Sequence, residues 1–140
     1  MRVMEEFEEL LEQGETLAGG GLMREALSRF EQALALEPEN PEVVEAMGRA
    51  LLELGRTEEA EARFLNALEL DPEWVAPRMG LAQLAMRNDE PFKALHHLER
   101  ATALDPDYPD AFVELGRYYG FMGEPGLARA TFERWTQAHP

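Results

Sequence analysis

Apolar residues along the chain recur at helical spacing, and glycine or proline interrupts them. In one clear stretch, Val44, Met47, Leu51 and Leu54 follow one another at steps of three, four and three residues. This spacing places the four side chains on one face of an α-helix. Gly55 follows directly, and a glycine after the last apolar position is typical of a helix end.

A second apolar stripe follows in the same stretch of sequence. Ala60, Phe64 and Ala67 are again one helical turn apart, and Pro72 comes soon afterwards. Proline lacks the amide hydrogen that a helix interior needs, so the second helix must end before it. The stretch therefore predicts two consecutive helices.

The starts of these two helices carry capping signals. Asn40 precedes Pro41, and an asparagine cap followed by proline at the first helical position is a common helix start. We expect Thr57 to cap the second helix in the same way.

The whole pattern returns every 34 residues, counted back from four equally spaced prolines. Alanine is found twelve residues before each proline, phenylalanine or leucine eight residues before it, and glycine or alanine twenty-four residues before it. The prolines are Pro38, Pro72, Pro106 and Pro140, and the small residues of the first helices are Gly14, Gly48, Ala82 and Gly116. Four repeats, at about 7–40, 41–74, 75–108 and 109–140, are therefore predicted within a single domain spanning 1–140.

Small residues opposite large ones indicate how the helices pack. A helix pair cannot bury both of its faces alone, so neighbouring pairs must stack. The proline that closes each pair allows the next pair to pack on it. Within the second pair we expect Gly48 and Ala60 to face each other.

With these residues the chain resembles the tetratricopeptide repeat family. The resemblance rests on the small residue of each first helix, the A-x-x-x-F-x-x-A pattern of the second, as at 60–67, and the closing proline. It implies an all-α fold, a right-handed α-solenoid of four antiparallel helix pairs, whose inner surface binds segments of other proteins. Arg78, Asp89 and Trp135 depart from the family pattern, at a bulky apolar, a glycine and a small position respectively.

Charge and composition reduce the range of possible partners and sites. The net charge is −15, with −11 in residues 1–70 (17 acids, 6 bases) and −4 in residues 71–140 (11 acids, 7 bases). Such a field repels phosphate backbones, so neither nucleic acid nor an anionic membrane is expected as a partner. The absence of cysteine excludes disulfides and thiolate sites. Neither a secretory signal nor an apolar run long enough to span a membrane is evident, so we expect a cytoplasmic protein without membrane insertion.

Residue patterns that support catalysis are scarce. Ser28 is the single serine and has no nearby histidine, and the adjacent His96 and His97 point about 100° apart on a helix, which does not suit one metal ion. The glycines at 19–21 lack the lysine and serine or threonine of a phosphate-binding loop and are read as a turn. We therefore expect no enzyme activity, no cofactor and no metal.

The family resemblance implies which first-helix residues line the inner groove. The lysines and asparagines with which one subclass holds the carboxyl end of chaperones are absent. The predicted groove instead combines an apolar track with acids toward the amino end and arginines toward the other. Its residues are Glu8, Leu11, Glu15, Glu42, Glu45, Arg49, Leu52, Glu53, Met79, Gln83, Met86, Arg87, Asp110, Val113, Arg117 and Phe121.

Two functions remain open at this point. The first is a scaffold that binds an extended or helical protein segment in the groove. The alternative is a structural module that associates with copies of itself, and a weak homodimer through the carboxyl-terminal end is predicted from Leu127, Phe132 and Trp135. Trp135 stands where the other repeats have alanine, and it could equally fold over the end of the last helix pair as a lid.

Overall fold

The computed structural model of the protein describes residues 2–140, and that part of the chain forms eight α-helices and no strand. The all-α class is therefore confirmed. The helices are α1 (Arg2–Gly19), α2 (Met23–Leu36), α3 (Pro41–Glu53), α4 (Thr57–Leu70), α5 (Val75–Arg87), α6 (Pro91–Leu104), α7 (Pro109–Phe121) and α8 (Pro125–Ala138).

The two helices of each repeat are joined by one type of turn. A residue in the left-handed conformation ends the first helix, with φ of 81° at Gly21, 76° at Gly55 and 75° at Gly123. The amide of the following residue donates to a carbonyl five residues back, as Arg56 does to Leu51 at 2.9 Å. This is the Schellman arrangement that favours glycine.

Asp89 takes the glycine's place in the third of these turns. Its φ is 57°, and the next amide, of Glu90, donates to the carbonyl of Ala85 at 2.8 Å. Aspartate tolerates the left-handed region better than most residues. This departure from the family pattern therefore leaves the turn intact.

The second helix of each repeat ends two residues before the repeat's proline. α4 ends at Leu70, and Asp71, which precedes Pro72, has φ −144° and ψ 88°. The proline ring disfavours helical geometry at the residue before it, which accounts for the shared end point. The prediction that the prolines close the helix pairs is confirmed.

One of the two predicted caps is present. The Asn40 side chain accepts hydrogen bonds from the amides of Glu42 at 3.0 Å and Val43 at 3.3 Å, and Pro41 begins α3. The prediction for Thr57 is wrong. Thr57 is the first residue of α4, the cap position belongs to Arg56, and no side chain caps this helix start.

The helices group into two compact units, one ending at Gly80 and the other beginning at Leu81. The first unit contains α1 to α4 and the start of α5, and its core includes Phe30, Val43 and Phe64. Within it, α1 packs on α2, α2 on α3, and α3 on α4.

The ring of Phe64 fills the centre of the first unit. It lies directly over Gly48 on one side and Gly80 on the other, so closely that a methyl group on either glycine would overlap it. Ala60, which we expected opposite Gly48, is fully buried, but the nearest atoms to Gly48 belong to Phe64, one turn further along α4. The small residue therefore serves mainly to admit the aromatic ring.

The second unit contains the rest of α5 and α6 to α8, with α7 packed against both α6 and α8. Gly116 of α7 lies under the ring of Phe132 as Gly48 lies under Phe64. The two aromatic rings differ in their freedom to move, since Phe64 is fully buried whereas Phe132 is 43% exposed.

This difference predicts opposite outcomes for the same substitution at equivalent positions. Gly48→Ala forces a methyl group against a ring that cannot move, and overpacking of this kind costs about 1–3 kcal/mol. The gain in helix propensity, about 1 kcal/mol, offsets only part of it. At Gly116 the exposed Phe132 can move aside, so we expect Gly116→Ala to be neutral or stabilising.

Urea unfolding of the two single variants beside the wild-type protein measures both effects. If the two substitutions shift the free energy of unfolding equally and in the same direction, the packing of these rings does not control the tolerance for a side chain at the two glycines.

Candidate interaction surfaces

An arginine joins the first helices of the first two repeats. α1 and α3 lie side by side, and the guanidinium of Arg49 on α3 donates to Glu45 at 2.8 Å and to Glu15 of α1 at 3.1 Å. Glu15 and Arg49 are 34 residues apart and hold the same position in successive repeats. Three of the predicted groove residues are therefore brought into contact with one another.

The contact between Glu45 and Arg49 affects the pKa values of the two residues differently. Burial raises the pKa of the Glu45 carboxyl, and Arg49 only partly reverses this effect. For Arg49, burial lowers the pKa, but Glu45 and Glu15 outweigh it and the net direction is upward. The Glu45 side chain is 6% exposed and that of Arg49 50%. The carboxyl therefore loses more hydration and depends more on the contact.

The remaining groove residues of the first two repeats divide by exposure. Glu8, Glu42 and Glu53 are exposed or half-buried, and Leu11 is half-buried. Leu52 is only 2% exposed, so its assignment to an accessible apolar track is wrong. The reason is that α3 packs against α1, α2 and α4 together, which leaves little of its surface open.

Glu45 also departs from its expected role as a free acid on the groove surface. It is buried and already paired with Arg49. A ligand in this region would meet Glu8, Glu15 and Glu42, with Arg49 offsetting part of their charge.

Helix α7 carries an open stripe in the second unit. Asp110, Val113, Arg117 and Phe121 are all exposed, with Val113 at 43% and Phe121 at 75%. The opposite face of α7, with Phe112 among its residues, is buried. The guanidinium of Arg117 lies 3.3 Å from the carboxylate of Glu114. All four residues belong to the predicted groove lining, which stays a prediction.

Helix α5 supplies the other predicted groove residues. Met79, in the first unit, and Met86, in the second, are half-buried, whereas Gln83 and Arg87 of the second unit are exposed. The methionines therefore present only part of their side chains.

Trp135 is occupied within its own repeat. Its indole stacks on the ring of His139, with ring centres 3.7 Å apart, and lies 5.4 Å from the ring of Phe112. This geometry matches the alternative in which Trp135 covers the end of the last helix pair. Leu127 and Phe132, its companions in the predicted self-association set, are 48% and 43% exposed.

The ring of His139 is held from both of its nitrogens. Nδ1 lies 2.9 Å from the carbonyl oxygen of Trp135, and Nε2 lies 2.9 Å from a carboxylate oxygen of Asp107. Both oxygens can only accept, so both nitrogens must donate, which requires the imidazolium form. In agreement, the Trp135 carbonyl and then Asp107 raise the pKa of His139.

A shallow, open cleft of about 550 Å³ lies between α1 and α2, and polar and apolar atoms contribute about equally to its surface. All of its lining residues are at least partly exposed to solvent. They are Glu9, Glu12, Gln13, Thr16, Leu17 and Arg29. Small-molecule sites are enclosed and mostly apolar. The cleft does not have that character.

Residues 2–140 provide neither a metal site nor a membrane span. In that range, no group of three or more histidine, aspartate or glutamate side chains is arranged to hold a metal ion. No helix between Arg2 and Pro140 is long and apolar enough to cross a membrane.

Comparison with known families agrees with the repeat pattern. Two family models, both described as tetratricopeptide repeat, match residues 17–84 and 79–140. The chain belongs to the tetratricopeptide repeat family. The matched segments together cover most of the chain, including all four helix-closing prolines. No curated protein matches the sequence of the chain.

Solved structures show the same tetratricopeptide fold. A thermophilic repeat protein of Thermus thermophilus superposes with a TM-score of 0.82 at 23% identity, covering 95% of this chain and 74% of that one. MamA from Desulfovibrio magneticus gives 0.79 at 20% identity, covering 94% and 74%. A Parabacteroides merdae repeat protein gives 0.78 at 20% identity, covering 96% and 54%. Similarity at these identities establishes the fold and leaves the partner open.

The Arg49 contacts predict an asymmetric response to mutation. Arg49→Met leaves the buried carboxylate of Glu45 without its cation, and we expect a loss of about 1–3 kcal/mol at neutral pH. The loss should shrink as the pH falls, because a protonated Glu45 no longer needs the cation. Adding Glu45→Gln to the Arg49→Met variant should recover most of it.

Arg56→Met is the matched control, because Arg56 pairs with Glu59 at the surface, with side chains 48% and 57% exposed, and such pairs contribute less than about 1 kcal/mol. Denaturant unfolding at several pH values measures all four proteins. Equal losses for Arg49→Met and Arg56→Met would contradict a special role for the buried carboxyl.

The His139 contacts predict a pH-dependent end to α8. Because the folded state raises the pKa of His139, its stabilisation is fully present below the ordinary histidine pKa and is lost as the pH rises through the raised value. Asp107→Asn should lower that pKa toward the ordinary value.

NMR titration of the His139 ring in both proteins measures the two pKa values. Trp135 fluorescence in a Trp74→Phe background should change over the same pH range, since the indole stacks on the titrating ring. A His139 pKa that does not respond to Asp107→Asn would show that the contact is not maintained in solution.

Proposed function

We propose that this tetratricopeptide repeat protein is a non-enzymatic interaction scaffold that binds a segment of a partner protein along its first helices. The fold supports a protein-interaction role in general, and binding of a segment is the specific mode that we propose. The observation that carries it is the open stripe on α7. Val113 and Phe121 are exposed there beside Arg117, on a helix whose other face is fully packed.

The apolar part of this stripe suits an adaptable protein contact. Aromatic side chains and arginine are the residues most enriched in binding hot spots, and here Phe121 and Arg117 stand one turn apart on an exposed face. Exposed apolar side chains that are close together mark interaction sites more often than isolated ones. The partner segment should therefore place an apolar residue against α7.

The charged side chains on the first helices of each unit constrain the charge of the partner segment. In the first unit Glu8, Glu15 and Glu42 outnumber Arg49 on the paired first helices. This surface favours a basic stretch. In the second unit Arg117 lies beside the carboxylate of Glu114, and the α7 stripe also contains Asp110, so its charge has no single sign. Unlike charges steer and orient the encounter more than they add affinity. A segment that binds the first helices of the first unit should thus be basic, and one that binds α7 should be apolar.

We propose neither nucleic acid nor a membrane as a partner of this surface. A cytoplasmic location stays a prediction. The four repeat boundaries and the right-handed course of the helix pairs likewise stay predictions. The contacts of Trp135 favour the lid over self-association, because the indole is already stacked within its own repeat.

A pair of synthetic peptides of equal length tests the charge preference proposed for the first unit. One peptide is basic, and in the other each basic residue is replaced by an acidic one. We expect the basic peptide to bind more tightly by about tenfold or more, and its affinity to fall with salt. Fluorescence anisotropy measures both.

Charge reversal at matched positions provides the control. Glu8→Lys with Glu42→Lys should weaken binding, whereas Glu25→Lys with Glu58→Lys makes the same change in net charge on exposed positions of second helices and should affect it little. Equal binding of the two peptides would contradict the proposed charge preference of the first unit. Equal effects of the two double variants would remove the first helices as the binding surface.

A further inference from the structure

Four exposed apolar side chains mark one end of the second unit. Phe92 is 79% exposed, Phe121 75%, Leu127 48% and Met122 39%. We call them the turn-end patch. Of these, only Phe121 belongs to the predicted groove.

The topology brings the four residues to the same end of the unit. α7 packs against both α6 and α8, and short connections make successive helices antiparallel. The start of α6, the end of α7 and the start of α8 therefore lie together. Phe92 follows Pro91, the first residue of α6, Phe121 ends α7, and Leu127 is in the first turn of α8.

The other repeats show that the fold does not require apolar residues here. Phe92 is fourteen residues before its repeat's proline, where the other repeats have Arg24, Glu58 and Gly126. Phe121 is nineteen before, where they have Gly19, Glu53 and Arg87. Leu127 is thirteen before, where they have Glu25, Glu59 and Lys93.

All nine of these equivalent residues are exposed. The positions of Phe92, Phe121 and Leu127 thus hold charged residues or glycine elsewhere in the chain, whereas that of Met122 holds Leu54 in the second repeat. Packing within the repeat does not require an apolar residue at the first three positions.

The surroundings of the patch favour a second copy of the chain. Residues 81–140 carry 9 acids and 6 bases, a net charge of −3, whereas residues 1–80 carry 19 acids and 7 bases, a net charge of −12. Two copies repel each other least through the second unit. Glu90, Lys93 and Glu124 are close to the patch residues in sequence, and Lys93 pairs with Glu90 at 3.7 Å. Charges of both signs near the patch can face their own copy across a two-fold axis.

The size of the patch sets the strength of such pairing. Phenylalanine buries about 150–250 Å² when covered, so the four side chains offer roughly 400 Å² per copy. A pair of copies would bury roughly 800 Å², below the 1,200–2,000 Å² of stable complexes. The pairing is therefore weak and depends on concentration.

We propose that the turn-end patch is a self-association surface through which two copies of the chain pair about a two-fold axis. The contact involves neither Trp135 nor the acidic first helices of the first unit. It shares only Phe121 with the predicted groove and only Leu127 with the predicted carboxyl-terminal set.

Sedimentation velocity over a concentration series tests the pairing. We expect the wild-type protein to shift from monomer toward dimer as it approaches about 1 mM. Phe92→Glu with Leu127→Glu should raise the dissociation constant at least tenfold. The second repeat already has Glu58 and Glu59 at these positions, so this variant should fold normally.

Leu65→Glu is the control, because Leu65 is 45% exposed on α4 of the first unit; it should leave the dimer unchanged. Phe121 is kept in the double variant, so peptide binding by the groove should persist when dimerisation is lost. A wild-type protein that remains monomeric, or a dimer that survives in the double variant, would overturn the proposal.

Disulfide trapping locates the contact, because the chain has no cysteine of its own. Gly126 lies beside Leu127, and a side chain added there meets nothing within 4 Å. Gly126→Cys should therefore cross-link two copies under mild oxidation. Gly19→Cys, equally unobstructed but in the first unit, is the matched control. Cross-linking of Gly126→Cys no faster than that of Gly19→Cys would contradict pairing through the patch.

Discussion

The close approach of an aromatic ring to a glycine is the constraint on which three of the four helix pairs depend, while the third has Ala82 and Leu98 at these positions. Phe30 lies over Gly14, Phe64 over Gly48 and Gly80, and Phe132 over Gly116. A glycine in a helix interior costs about 1 kcal/mol relative to alanine. That cost is offset because the missing side chain lets a large apolar ring enter the helix crossing, where a buried phenylalanine contributes about 1.5–3 kcal/mol.

Much of the fold follows from the 34-residue spacing because each of its signals is local. Proline dictates where a second helix ends, and a glycine in the left-handed conformation dictates where a first helix ends. These effects act within a few residues. Asp89 shows the tolerance of the pattern, since aspartate adopts the glycine conformation with the same hydrogen bonds.

The errors arise where the outcome depends on more than one element. Thr57 looked like a cap, but the helix includes it and begins directly after Arg56. The family resemblance implies an inward position for Leu52, yet its burial depends on three neighbouring helices. The stacking of Trp135 on His139 involves two residues that each depart from the repeat pattern. A comparison of both positions across all four repeats would have suggested that they belong together.

The two units have diverged at their surfaces more than in their cores. Equivalent core positions keep alanine at Ala60 and Ala94, whereas three exposed positions at the helix ends each carry an apolar residue in one repeat of the second unit and a charged residue or glycine in the other repeats. Core positions are held by packing, which tolerates few volumes. Exposed positions are free to differ, so the differences there carry information about partners.

The contact between Glu15 and Arg49 has a consequence for how such an array can be lengthened. Both residues occupy one position of the repeat, so the ion pair exists only because neighbouring repeats differ there. A tandem duplication of the second repeat would set arginine beside arginine along the first helices and add a second buried glutamate like Glu45. It would also place an alanine, the equivalent of Ala46, where Gly80 now lies against the ring of Phe64, and a methyl group there overlaps that ring. The order of the repeats is therefore constrained by both charge and packing.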